Sequence, residues 1–288
     1  MAEPLGRAFL WIVVAYLAAL AAAVPCVLWA REAGYSPLWA AALADVAATV
    51  VIYVFGLVFR NASFYDAYWS VIPPFVAAYL MWTAGGIDAR GVIAFLILMY
   101  WAIRLTANWA RGWEGLGHED WRYIDLRNQT GIFYQAVNFL GIHLFPTVLV
   151  FVGCLPFIAM GASDAPMGFL DALATLIGIG AVSLEWKADE ELRAFRRTSS
   201  GQGKVLDSGV WRWSRHPNYC GEMGFWLSMG LFGFAASGEL WTLSGFALTV
   251  ILFVGITIPM IEKRQAANKP AYRDYQQSTA MVLPRFWK

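Results

Sequence analysis

Apolar residues run along this chain in long blocks, separated by short connections that are polar or rich in aromatic residues. A bilayer core takes roughly 20 apolar residues per helical crossing. Eight blocks approach that length, at about 8–30, 38–59, 67–84, 91–109, 132–158, 168–186, 219–236 and 240–261. The pattern predicts an all-α fold, a polytopic transmembrane helical bundle of about eight spans. The first block follows Arg7 and passes through Ala21, Ala22 and Ala23, which also gives it the shape of a secretory signal. Cleavage there would leave seven spans, but the block is longer than the apolar core of a usual signal, which favours a retained helix. The sequence shows neither an internal repeat nor a low-complexity linker, so residues 1–288 read as a single membrane domain.

Composition strengthens this picture: 59% of residues are hydrophobic and only 14% charged, where soluble domains carry roughly a quarter. Lys and Arg set the orientation, because short cytosolic connections collect them. Arg111, Arg122 and Arg127 follow the fourth block. Arg193, Arg196, Arg197, Lys204, Arg212 and Arg215 follow the sixth, and Lys263, Arg264, Lys269, Arg273, Arg285 and Lys288 the eighth. The alternate connections, 31–37, 85–90, 160–167 and 237–239, hold only Arg31 and Arg90. Both termini are therefore expected in the cytosol, in a multi-pass protein of the bacterial inner (cell) membrane. A net charge of +1 speaks against nucleic acid as a partner. Cys26, Cys154 and Cys220 lie in or beside apolar blocks without CxxC spacing, so neither a disulfide framework nor a metal site is expected. Nothing in the sequence sets the oligomeric state.

Candidate chemistry concentrates before the seventh block. Asp189, Arg193, Arg196 and Arg197 fall at helical spacing, and Lys204 follows a Gly-rich turn. Such a cluster suits phosphate groups, for which Arg offers a planar fork of donors and Lys a mobile point charge. Ser214-Arg215-His216-Pro217-Asn218-Tyr219 then reads as a helix start, with proline in the first turn. Asn218 and Glu222 share a face, and Glu222 sits one turn inside an apolar helix, where a carboxylate needs a partner. Arg215, His216 and Arg264 are the cations within reach. The connection after the fourth block packs His118, Glu119, Asp120, Arg122 and Asp125 among Trp109, Trp113, Trp121 and Tyr123. It reads either as a lid over a site or as a solvated turn at the interface.

These residues, DEELRAFRR, SRHPNYCGE and the EKR…YRDYQ…LPRF ending, resemble the steroid 5α-reductase family, specifically its bacterial branch of DUF1295 membrane proteins. The resemblance covers roughly residues 90–288. It implies N-terminal helices over 1–90 on the substrate side and a cofactor-binding half over 91–288. It also implies NADPH as cofactor and a lipid or steroid-like substrate entering from among the membrane lipids. Carried over by position, Asp189, Arg196, Asn218 and Glu222 match nucleotide-binding residues; Arg193, Arg197, Lys204, Arg215, His216, Tyr219 and Arg264 are assigned by proximity. Steroid reductases of the family use a Gln-Glu pair on an early helix and a Tyr on a later one. The pair is missing from this N-terminal half, where Asp66 and Tyr100 are the candidate catalytic residues. The implied reaction delivers hydride to the β-carbon of an enone while an acid hydrogen-bonds its carbonyl oxygen.

The RHPxY-x-G-E run is also similar to that of membrane methyltransferases using S-adenosylmethionine. That cofactor carries no phosphate and leaves the Arg and Lys cluster without a ligand. A non-catalytic transporter or assembly factor is the remaining alternative, although matching broken halves are lacking. Gly201-Gln202-Gly203 lacks the third glycine and the preceding strand of a Rossmann fingerprint.

Overall fold

The computed structural model describes residues 5–198 and 204–284. The described chain is all-α, its one β-type contact being a bridge between Ser214 and Ala280. It packs as two compact units, Met1–Ser163 and Asp164–Lys288. The packing boundary therefore falls well beyond residue 90, where the functional division was expected.

In the first unit, α1 (Leu5–Glu32) and α2 (Pro37–Phe59) are long and apolar. On α1 the small Ala8, Ala15 and Ala19 face inward, while Leu10, Leu17 and Leu28 are exposed. That is the inverse of a soluble helix, and it fits a lipid solvent. Ser36 caps α2 through Trp39 N with Pro37 next to it, and α2 stops at Arg60 in the left-handed conformation (φ 52°). Asn61 then accepts from Ser63 N at 2.8 Å, starting the 3₁₀ turn Ala62–Tyr65. Its amide donates to Leu116 O and His118 O, which fastens the aromatic-rich connection to the end of α2.

The expected third span, 67–84, is broken. Pro73 and Pro74 separate the single turn α3 (Tyr68–Val71) from α4 (Pro73–Ala84). Twelve residues reach about 18 Å, too short to cross alone. Next come α5 (Ala89–Gly112), capped by Asp88, and α6 (Trp121–Thr130), capped by Asp120. After α7 (Tyr134–Val137) the chain loosens into a π-helix over Asn138–Leu144 before α8 (Phe145–Cys154) and α9 (Pro156–Gly161). Pro146 explains the loosening: it has no N–H for the carbonyl four residues back, that of Ile142.

The second unit opens with α10 (Phe169–Arg197), about 43 Å long. It packs tightly on α11 (Pro217–Ser237), where a Cβ at Gly221 would stand 2.6 Å from Ala181 O. Then follow α12 (Ser244–Leu252), a second π segment over Phe253–Thr257, α13 (Ile258–Asn268) and the short α14 (Tyr272–Ser278). Again a proline, Pro259, stands just after the π segment, leaving the carbonyl of Gly255 without its helical donor.

Among the described residues, six stretches are long and apolar enough to cross a membrane: α1, α2, α5, the broken run Trp121–Gly161, α10 and the run Leu240–Asn268. The chain is thus a multi-pass membrane protein, with six rather than eight stretches meeting both requirements. Besides the broken 67–84 stretch, the difference is α11. It is about 31 Å long, but Glu222 and Gly221, Gly224, Gly230 and Gly233 dilute its apolar character.

Candidate functional site

A cleft of about 190 Å³ lies in the second unit, among the end of α10, the first turn of α11, one face of α13 and α14. Its wall is built by an ion-pair clasp. Arg215 donates from Nε to Glu262 Oε1 (2.7 Å) and from Nη2 to Glu262 Oε2 (3.3 Å). Its Nη1 reaches the carbonyls of Gln276 (2.7 Å) and Thr279 (2.6 Å). Gln276 donates to the same carboxylate, and the backbone N–H of Arg215 bonds Ala280 O. One arginine thus fastens the start of α11 to α13 and to the tail beyond α14. Its guanidinium is committed there, so Arg215 borders the cleft without offering its charge to a ligand, contrary to the sequence expectation.

His216 contacts Glu262 Oε1 through Nε2 at 3.1 Å. Burial lowers its pKa below the ordinary value and outweighs the opposing pull of Glu262. The ring stacks on Tyr219 (5.6 Å, 10°), and Tyr219 stacks on Phe253 (4.5 Å, 13°). Beneath them Tyr275 donates to the carbonyls of Trp211 and Ser214.

Two cations face the cleft with neither in an ion pair among the described residues: Arg196 at the end of α10 and Lys269 just past α13. Burial, and then the positive charge of Arg196, lower the pKa of Lys269. An anion between them would relieve that repulsion. Asn218, also on the lining, holds a buried Oδ1 with no donor. These residues fit a phosphate-bearing cofactor that has an aromatic ring and a hydrogen-bond donor. The volume is below the roughly 300–1,000 Å³ of common ligand pockets, so the cleft has room for one ring and a phosphate and not for a whole dinucleotide.

Of the residues expected to bind NADPH, the cleft gathers Arg196, Arg215, His216, Asn218 and Tyr219. Asp189, Arg193, Arg197, Lys204, Glu222 and Arg264 lie outside its lining. Arg193 is bound to Glu190, one turn away on the same helix. Glu222 is buried and accepts from Trp226 Nε1 at 3.0 Å; the carboxylate that meets Arg215 and His216 is Glu262 instead. The Gly201-Gln202-Gly203 turn lies outside the described residues. Glu262, Gln265, Lys269, Tyr272 and Tyr275 complete the site and were not expected. The available signal was the i, i+4, i+8 recurrence of Ile261, Gln265 and Lys269 on one helical face.

In the first unit, Asp66 accepts a 2.6 Å hydrogen bond from Tyr123. Burial raises the Asp66 pKa from 3.8 to about 6, against the lowering effect of Tyr123 and Arg122. Its partner is therefore Tyr123 of α6, while Tyr100 sits half-buried on α5. A second acid went unnoticed in the sequence. Asp45, in the middle of α2, accepts from Tyr68 at 3.2 Å, and its other oxygen is buried without a donor. Around it, Tyr65 bonds Thr147 (2.8 Å) and Thr147 bonds Thr49 (2.9 Å), with buried His143 leaving Nε2 unpaired. A carboxylate within a membrane span is costly, which marks it for function; a lone Asp in the block 38–59 was the signal. Among the described residues, His, Cys, Asp and Glu form no metal-binding cluster.

A family model described as "Protein of unknown function (DUF1295)" matches residues 52–279. The chain is also similar to "Uncharacterized protein C594.04c" of Schizosaccharomyces pombe. The two are 29% identical over 255 residues, covering 78% of this chain and 73% of the yeast protein. No solved structure matches significantly.

Proposed function

The chain belongs to the DUF1295 family, whose function is unknown, and on that premise we propose that it is an NADPH-dependent membrane reductase. It saturates the C=C bond of an enone-containing lipid or steroid-like substrate. The observation that carries this reading is the pair Arg196 and Lys269, two cations without ion-pair partners among the described residues, on an aromatic-walled cleft with a buried, unbonded acceptor. When bound, NADPH supplies a hydride for the electron-poor β-carbon of the enone. Arg196 and Lys269 hold its phosphate, the stacked His216, Tyr219 and Phe253 rings form an aromatic wall, and Asn218 Oδ1 accepts from an amide or amine of the cofactor. S-adenosylmethionine, with no phosphate, leaves the two cations unmatched. The acid that this chain offers within the bilayer is Tyr68 with Asp45. The Tyr68 hydroxyl, once its single proton turns from Asp45 toward a carbonyl oxygen, is a hydrogen-bond donor in a low-dielectric setting that strengthens such a bond as charge develops. Asp66 with Tyr123 is the second acid pair. The cleft faces the cytosol, where NADPH is available.

The test is thermal stabilisation of the detergent-purified chain by NADPH, NADH and S-adenosylmethionine. A ligand binding only the native state adds about 2.7 kcal/mol at a hundred times its Kd. Selective stabilisation by NADPH, with affinity at least about tenfold weaker in Arg196→Ala, is expected. A response to S-adenosylmethionine alone, or equal NADPH affinity in the variant, refutes the assignment.

A further inference from the structure

The first unit holds a larger cavity, of about 450 Å³, where α2 ends and α6 gives way to α7. Arg60 stands at its edge. It is the only non-glycine residue with positive φ among those described, held there by its N–H bonds to the carbonyls of Gly56 and Leu57. Its exposed side chain forms no ion pair among the described residues. Arg127 also lines the cavity, lying over the Tyr134 ring at 4.8 Å. Its bonds to Glu119 and to Tyr134 Oη all come from Nη2. Nε and Nη1 are therefore available on the same fork. Two arginines against one carboxylate leave the cavity with a surplus positive charge.

Deeper in, Asn138 is 3% exposed, and its Oδ1 has no hydrogen-bond donor. It begins the π segment Asn138–Leu144, where backbone irregularity often accompanies function. A buried acceptor without a donor costs free energy unless a ligand supplies one. At the rim, Ile132 is 93% exposed and its neighbour Phe133 69% exposed, beside the half-exposed Leu57. A polar, cationic interior with an apolar rim matches an amphiphile.

We propose that this cavity binds the phosphodiester headgroup of a membrane lipid. The phosphate bridges Arg60 and Arg127, a headgroup hydroxyl donates to Asn138 Oδ1, and the acyl chains lie along Leu57, Ile132 and Phe133. This site would take its ligand whether or not the second unit binds a nucleotide.

The experiment is a binding titration of the delipidated full chain in neutral detergent, read by native mass spectrometry. The probes are dioleoyl phosphatidylglycerol, dioleoyl phosphatidylcholine and glycerol 3-phosphate. Phosphatidylglycerol is expected to bind at least about tenfold more tightly than phosphatidylcholine. Arg60→Asn tolerates the left-handed turn while removing the charge. It should abolish that preference without moving the lipid-free melting temperature, and Arg60→Lys should restore part of it. Glycerol 3-phosphate binding as tightly as the lipid keeps the phosphate site but overturns the lipid as its source. Unchanged phosphatidylglycerol affinity in Arg60→Asn overturns the site itself.

Discussion

At the scale of single residues, charge is divided between structure and ligand in a way that sequence spacing does not reveal. Arg196 and Arg215 both belong to the basic stretch before α11, yet one is free to take an anion and the other is clasped by Glu262 and two tail carbonyls. The Arg215 and Glu262 side chains are only 10% and 13% exposed. Glu262→Ala leaves a nearly buried guanidinium short of its counter-charge and is expected to cost about 3 kcal/mol. Glu262→Gln, which keeps an acceptor, should cost less; thermal denaturation in detergent compares the two. Local patterns made part of this site legible: Asn218 and Tyr219 follow a proline helix start, and Arg196 lies on a cationic helix end. Glu262 and Tyr275 were not legible, because their partners stand 47 and 61 to 64 positions away. A contact across that separation leaves no periodic trace in one sequence. Asp45 is legible as the lone acid of its apolar block, whereas its partner Tyr68, 23 positions on, is not.

Among the helices, the strongly apolar runs emerged from hydropathy; the stretch cut by Pro73 and Pro74 and the glycine-diluted α11 did not qualify as spans, whereas Pro146 and Pro259 interrupt their runs without disqualifying them. Pro73 and Pro74 cut the third block, and Pro146 and Pro259 each follow a π segment. Hydropathy averages over such positions because proline is not strongly polar; what it lacks is an N–H. Glycine acts through packing instead. Gly221 lets α11 lie against Ala181 and Glu185 of α10, the helix that carries Arg196 into the cleft. Gly221→Val would force the two backbones apart, because the nearest atom that cannot rotate away is the Ala181 carbonyl at 2.6 Å. Overpacking of this kind costs about 1–3 kcal/mol. The variant is expected to melt at a lower temperature and to respond less to NADPH than Ala188→Gly, a change on the facing helix α10 that adds no bulk.

For the molecule as a whole, the distribution of Lys and Arg implies that the connection before α10 and the one after it lie on opposite sides of the membrane. Ala165→Cys and Lys204→Cys, each in a chain whose Cys26, Cys154 and Cys220 are replaced by Ser, are expected to separate cleanly in intact cells. A membrane-impermeant maleimide should label the first at once and the second only after permeabilisation. Immediate labelling of Lys204→Cys, with Ala165→Cys labelled only after permeabilisation, would reverse the orientation assigned to the cleft. The clasp around Arg215 has one more consequence, in the order of synthesis. Its acceptors are Glu262, Gln276, Thr279 and Ala280, so the ribosome has moved on by at least 47 residues before that arginine meets the first of them. Insertion of the earlier helices proceeds without a finished cleft. A nascent chain stalled before residue 262 would carry Arg196 without Lys269 and without the pocket that the two line.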